Sequence, residues 1–109
     1  MTENQLRKTA LSFPEVTEEP HFEKTSFRIR KKIFAALDKT NKTAVVKLSE
    51  GDQDLFRIAS KGSIQPLDNK WGKQGWTSVD LAKTDKKLMV DVLKCAYTQV
   101  APKKLSEGL

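Results

Sequence analysis

The 109-residue sequence has one cysteine, one histidine and no long apolar run, and each scarcity removes a class of protein. A lone Cys95 cannot form an internal disulfide, so the fold has no oxidative staple and suits a reducing compartment. His21 and Cys95 lie far apart without any recognisable ligand spacing, so neither a metal nor another cofactor is expected. No stretch approaches the roughly 18 apolar residues that a bilayer span needs. The opening residues, Met1 to Leu6, lack the basic-then-apolar pattern of a secretion signal, so the expected location is cytoplasmic. Gly51, Gly62, Gly72 and Gly75 do not compose a phosphate-cradling loop, which argues against nucleotide hydrolysis.

What is present is a basic globular composition. Apolar residues make up 38% and charged residues 31%, and twenty Lys and Arg against fourteen Asp and Glu leave a net charge of +6. That balance permits contact with polyanions through counterion release, although many domains carry such charge for solubility alone. The length fits a single domain, residues 1–109, with one core and no internal repeat or linker. The most distinctive segment is Trp71-Gly-Lys-Gln-Gly-Trp76-Thr-Ser-Val-Asp80-Leu81, where two indoles and two glycines bracket a tight basic turn.

Thr2 and Gln5 read as a capping box, opening a helix whose apolar stripe is Leu6, Thr9, Ala10 and Phe13 and which Pro14 ends near Ser12. Pro14 to Pro20, with two prolines and three carboxylates, reads as an ordered loop. From Phe22 the period changes to two. A three-residue turn at Arg30-Lys31-Lys32 places Phe27 and Ile29 on the same face as Ile33, Ala35 and Leu37. A two-residue turn at Arg30-Lys31 would instead put Ile33 opposite Arg28 and split the apolar residues, so the longer turn is preferred. Thr43 to Leu48 forms a third strand with Ala44, Val46 and Leu48 on one face. Ser49 opens a short helix carrying Leu55, Phe56 and Ala59, which closes at Lys61-Gly62. Ile64 to Leu67 and Trp76 to Leu81 are the remaining strands. A last helix capped around Thr84-Asp85 presents Leu88, Met89, Val92, Leu93, Ala96 and Val100 before Pro102, and the tail from Lys103 to Leu109 is expected to fray at its end. The expected fold is therefore α+β: an antiparallel sheet of about five strands with an N-terminal, a short middle and a long C-terminal helix.

Five short motifs in this order resemble those of the MmcQ/YjbR family. They are Leu11 to Phe22 (LSFPEVTEEPHF), Ser26 to Ile29 with Lys32 to Ala35, Val46 to Ser49, Trp71-Gly72 with Gly75 to Leu81, and Val100 to Leu105. The resemblance covers nearly the whole chain and implies a fold related to that of CyaY, with a double-wing DNA-binding architecture in which paired loops or hairpins embrace the duplex. Related sequences often place glycine in the first hairpin turn. Here Arg30-Lys31-Lys32 removes backbone freedom and adds charge. CyaY is associated with iron through acidic residues, but the acids here are too few and scattered to carry that property over.

On this reading the chain is a monomeric, non-enzymatic binder of double-stranded DNA with low sequence specificity. The expected phosphate contacts are Arg28, Arg30, Lys31 and Lys32 at the first hairpin, Lys39 and Lys42 in the next turn, and Lys73 between the indoles. Successive turns lie at opposite ends of a sheet, so these groups do not form one patch by proximity. The competing explanation is ordinary solvated turns guarded by lysine. Trp76 is the expected core residue, because alternation places it with Ser78 and Asp80 or, after a bulge, with Val79; Trp71 is expected to be the more exposed. An alternative function is a protein-interaction or small-ligand module whose cleft is lined by His21, Trp71, Trp76 and the Pro14 to Phe22 loop. Catalysis by His21 ranks third, because no nucleophile or oxyanion site accompanies it. Cys95 is expected to pack, and Lys103 and Lys104 to complement the end of the last helix.

Overall fold

The computed structural model describes residues 1–108. Helix α1 (Glu3–Leu11) starts at the capping box: the Gln5 N–H donates to Thr2 Oγ1 at 3.1 Å and the Thr2 N–H donates to Gln5 Oε1 at 2.9 Å. The expected loop after Pro14 is instead a strand, β1 (Val16–His21), paired antiparallel with β2 (Lys24–Ile29). It lies at the edge of the sheet, where Pro20 has no partner to deprive of an N–H and the glutamates discourage further pairing.

The turn from β2 to β3 (Lys32–Asp38) has two residues rather than three, because Ile29 pairs with Lys32. Arg30 and Lys31 both adopt positive φ, 49° and 72°, the backbone that a two-residue hairpin turn demands. Ile33 does oppose Arg28, and the apolar residues are reconciled by a bulge: Phe27 pairs with Ala35, which leaves Phe34 as an extra residue on β3. Phe34 thereby enters the core. Ile33, expected in the core, turns to the opposite face.

The chain continues through β4 (Thr43–Lys47), α2 (Glu50–Ala59), β5 (Ile64–Pro66), α3 (Lys70–Lys73), β6 (Trp76–Asp80), α4 (Lys86–Val100) and α5 (Lys103–Ser106). All strands pair antiparallel in the order β1-β2-β3-β4-β6-β5, six strands where about five were expected. The added strand is β1. In the tail expected to fray at its end, Lys103 to Ser106 form α5, and Leu109 lies outside the described residues.

One face of the sheet is the core face. Phe27, Ile29, Ala35, Leu37, Ala44, Val46 and Val79 are buried there against Leu6 and Ala10 of α1 and Met89, Val92, Leu93, Ala96 and Tyr97 of α4. Tyr97, which the expected stripe omits, packs 5.0 Å from Phe13 and 5.7 Å from Phe34 between ring centres, and its hydroxyl donates to the Pro14 carbonyl at 2.7 Å. In α2 the buried residues are Gln53 and Phe56, whereas Leu55 is 60% exposed and Ala59 is also exposed, contrary to the expected stripe. Pairing alternation sends Ser26, Arg28, Ile33, Ala36, Val45, Lys47, Trp76 and Ser78 to the other face. Helix α3 and the preceding Leu67 border that face.

Candidate functional site

The open face contains a groove of about 300 Å³. Its floor is Ile33, Ala36 and Val45 from the two central strands, one wall is Leu67, Trp71 and Trp76, and the other is His21 and Lys24. Three segments distant in sequence thus bring His21, Trp71 and Trp76 together. Trp76 is half-buried on the open face rather than in the core, because its alternation with Ser78 and Asp80 holds without a bulge. Trp71 is 48% exposed, as expected of it.

The indole wall is built by local backbone chemistry. Asn69 caps α3 by accepting the Trp71 N–H at 2.9 Å. A side chain at Gly72 would collide with the Leu67 carbonyl, and Gly75 sits at φ 105° against the Leu48 carbonyl. Gln53, absent from the residues read as functional, donates from Nε2 to the Gly72 carbonyl at 3.0 Å and to Thr77 Oγ1 at 2.9 Å, tying α2 to both ends of this segment. Its sequence signal was slight: a polar residue three positions before Phe56 on the buried side of a helix. Lysines cover the indoles, with Lys47 Nζ 5.3 Å from the Trp76 ring centre and Lys70 Nζ 5.5 Å from that of Trp71. Lys47 also donates to the Gln74 carbonyl.

On the opposite wall the His21 ring meets Phe22 edge-on, with ring centres 4.8 Å apart. Phe22 occupies the β1–β2 turn with φ 58° and is 94% exposed.

The expected phosphate contacts separate into groups. Arg28 lies on the open face, bonded to Ser26 Oγ at 2.9 Å and 3.9 Å from Glu19. Arg30 and Lys31 form the turn at the end of that hairpin, where Arg30 lies 3.4 Å from Glu15. Lys32 pairs with Ile29 and so points toward the core side at the sheet's end. Lys73 ends α3, beside the indole wall. Lys39 and Lys42 lie at the opposite end of the sheet, next to Asp38 and Asp80 on the open face. Hydrogen bonds from Asn41 hold the Asp38 carboxyl below its ordinary range, so that end carries fixed negative charge among its lysines. Sequence reading passed over Lys24, Lys47 and Lys70, which border the groove only because the sheet and α3 place them there.

Elsewhere, burial, followed by the charges of Asp52 and Asp91, pushes the Cys95 thiol up. Among the described residues no group of three or more His, Cys, Asp or Glu gathers to hold a metal ion, and no helix is long and apolar enough to cross a membrane.

A family model described as YjbR matches residues 11–99, from the end of α1 through most of α4. No curated protein matches the sequence. The fold is similar to the crystal structure of the Deinococcus radiodurans protein DR2400, which has a DUF419 domain, with a TM-score of 0.78 and 23% identity over 98% of this chain and 83% of that one. At that identity the likeness speaks for the fold.

Proposed function

The chain belongs to the YjbR family, and from that premise we propose that it is a monomeric, non-enzymatic DNA-binding module that contacts the phosphate backbone with low sequence specificity. The observation that supports this most is the placement of Lys24, Arg28, Lys47, Lys70 and Lys73 on or beside a sheet face that no helix covers. In a chain of net charge +6, such a face is where a polyanion releases most counterions. The contact set of this reading is therefore these five residues, joined at the sheet's end by Lys31. Lys39 and Lys42 lie in the turn beyond Asp38 and Asp80 rather than on the groove, and Lys24, which lines the groove, also lies near Asp38. Fluorescence anisotropy with labelled DNA at about 50 and 200 mM salt tests the reading. Binding at low salt that weakens steeply at high salt supports it, and no binding at low salt rejects it.

A second reading has its own observation. The apolar floor and paired indoles of the groove suit a small ligand or a partner's side chain, held near His21 and Trp71 without catalysis. Blue-shifted or quenched indole fluorescence on adding such a ligand, without salt dependence, would favour this reading over the first.

A further inference from the structure

The groove accepts a flat ring, and the groups at its mouth favour a ring carried on a negatively charged chain. Its lining is aliphatic at Ile33, Ala36 and Val45 and also includes the indole of Trp71 and the imidazole of His21. The Asn69 cap and the close seating of Gly72 fix the backbone at Trp71, and the His21 ring meets Phe22 edge-on. Phe22 itself gains almost no burial, and its left-handed backbone costs roughly 1–2 kcal/mol for a side chain of this kind. Folding alone gives no reason for a large apolar ring there. It does present a second aromatic surface at the groove's mouth.

Resting on the DNA-binding reading above, we propose that the groove seats one unpaired base of a nucleic-acid strand, stacked on Trp71, while Lys24 and Lys70 hold the phosphates on either side. A duplex keeps the faces of its bases inside its own stack, whereas a single strand offers each face to an aromatic platform. The volume of about 300 Å³ lies at the small end of ligand sites and suits a base rather than a duplex end. Charge complementarity selects this occupant over a neutral peptide: Lys24 lines the groove, Lys70 sits over the Trp71 ring and Lys47 over the Trp76 ring.

The test compares three labelled probes of about 12 units: a single-stranded oligothymidylate, a duplex, and an abasic strand with the same phosphates. The single strand is expected to bind about 5-fold or more tighter than either of the others and to quench tryptophan fluorescence. Trp71→Ala should weaken its binding by roughly 5- to 150-fold, the range measured for loss of one stacked base, with little effect on the abasic strand. Trp71→Phe should restore most of the loss, and matching thermal melts for both variants show that the fold is retained. Equal binding of the duplex or the abasic strand, or unchanged binding by Trp71→Ala, overturns the base seat and leaves the phosphate reading standing. Failure of all three probes to bind at low salt rejects both.

Discussion

Buried in α2, Gln53 supplies hydrogen bonds to the Gly72 carbonyl and Thr77 Oγ1. Gln53→Ala should cost about 1–3 kcal/mol in urea unfolding, because it removes two buried hydrogen bonds and leaves Thr77 Oγ1 without a donor, although the Gly75 N–H still reaches the Gly72 carbonyl. Its second effect is expected on the indole wall: Trp71 fluorescence should shift toward that of a solvated ring before the protein unfolds. Cys95 offers a separate check at this scale. Its raised pKa, caused first by burial and then by neighbouring carboxylates, keeps the thiol protonated at pH values where an ordinary cysteine begins to ionise. Reaction with a disulfide reagent at mildly alkaline pH should therefore be slower in the folded protein than in urea. Equal rates would contradict the burial.

Among the elements, the β2–β3 hairpin holds two L-residues in a left-handed turn, at Arg30 and Lys31. Replacing them with Asn-Gly, the pair best suited to such a turn, should stabilise the protein by about 1 kcal/mol or more. Thermal melts should rise by roughly 4–8 °C per kcal/mol. A fall would mean that contacts of these side chains outweigh backbone strain. The same hairpin shows what could be read in advance. Alternation in Phe27 and Ile29 and again in Ala44 and Val46 announced strands, and Thr2 with Gln5 announced a helix start, because these signals are local. The bulge at Phe34 was not legible, since it arises from fitting a two-residue turn to a core lying strands away. Nor was β1: a segment with two flanking prolines and several glutamates pairs only because β2 supplies an edge. The candidate site was half legible. His21, Trp71 and Trp76 stood out as rare side chains, but the floor of Ile33, Ala36 and Val45 depended on the register that the bulge created.

For the whole molecule, the distribution of charge matters more than its sum. Lys47→Glu with Lys70→Glu places two acids beside the indoles of the groove, whereas Lys39→Glu with Lys42→Glu adds them at the end already occupied by Asp38 and Asp80. Both pairs change the net charge equally. If the open face carries the polyanion, the first pair should lower the salt-dependence slope by roughly 0.7–0.9 per lost phosphate contact and the second should barely move it. Equal effects would mean that long-range attraction, and no defined surface, governs binding. The order of layers has a consequence for how the protein is made. The inner side of the sheet is sealed by α4, which brings Met89, Val92, Leu93, Ala96 and Tyr97 and follows all six strands in the chain. On a translating ribosome, the apolar face of the sheet therefore waits partly uncovered until α4 clears the exit tunnel, and a chain stalled before it would be a natural client for a chaperone.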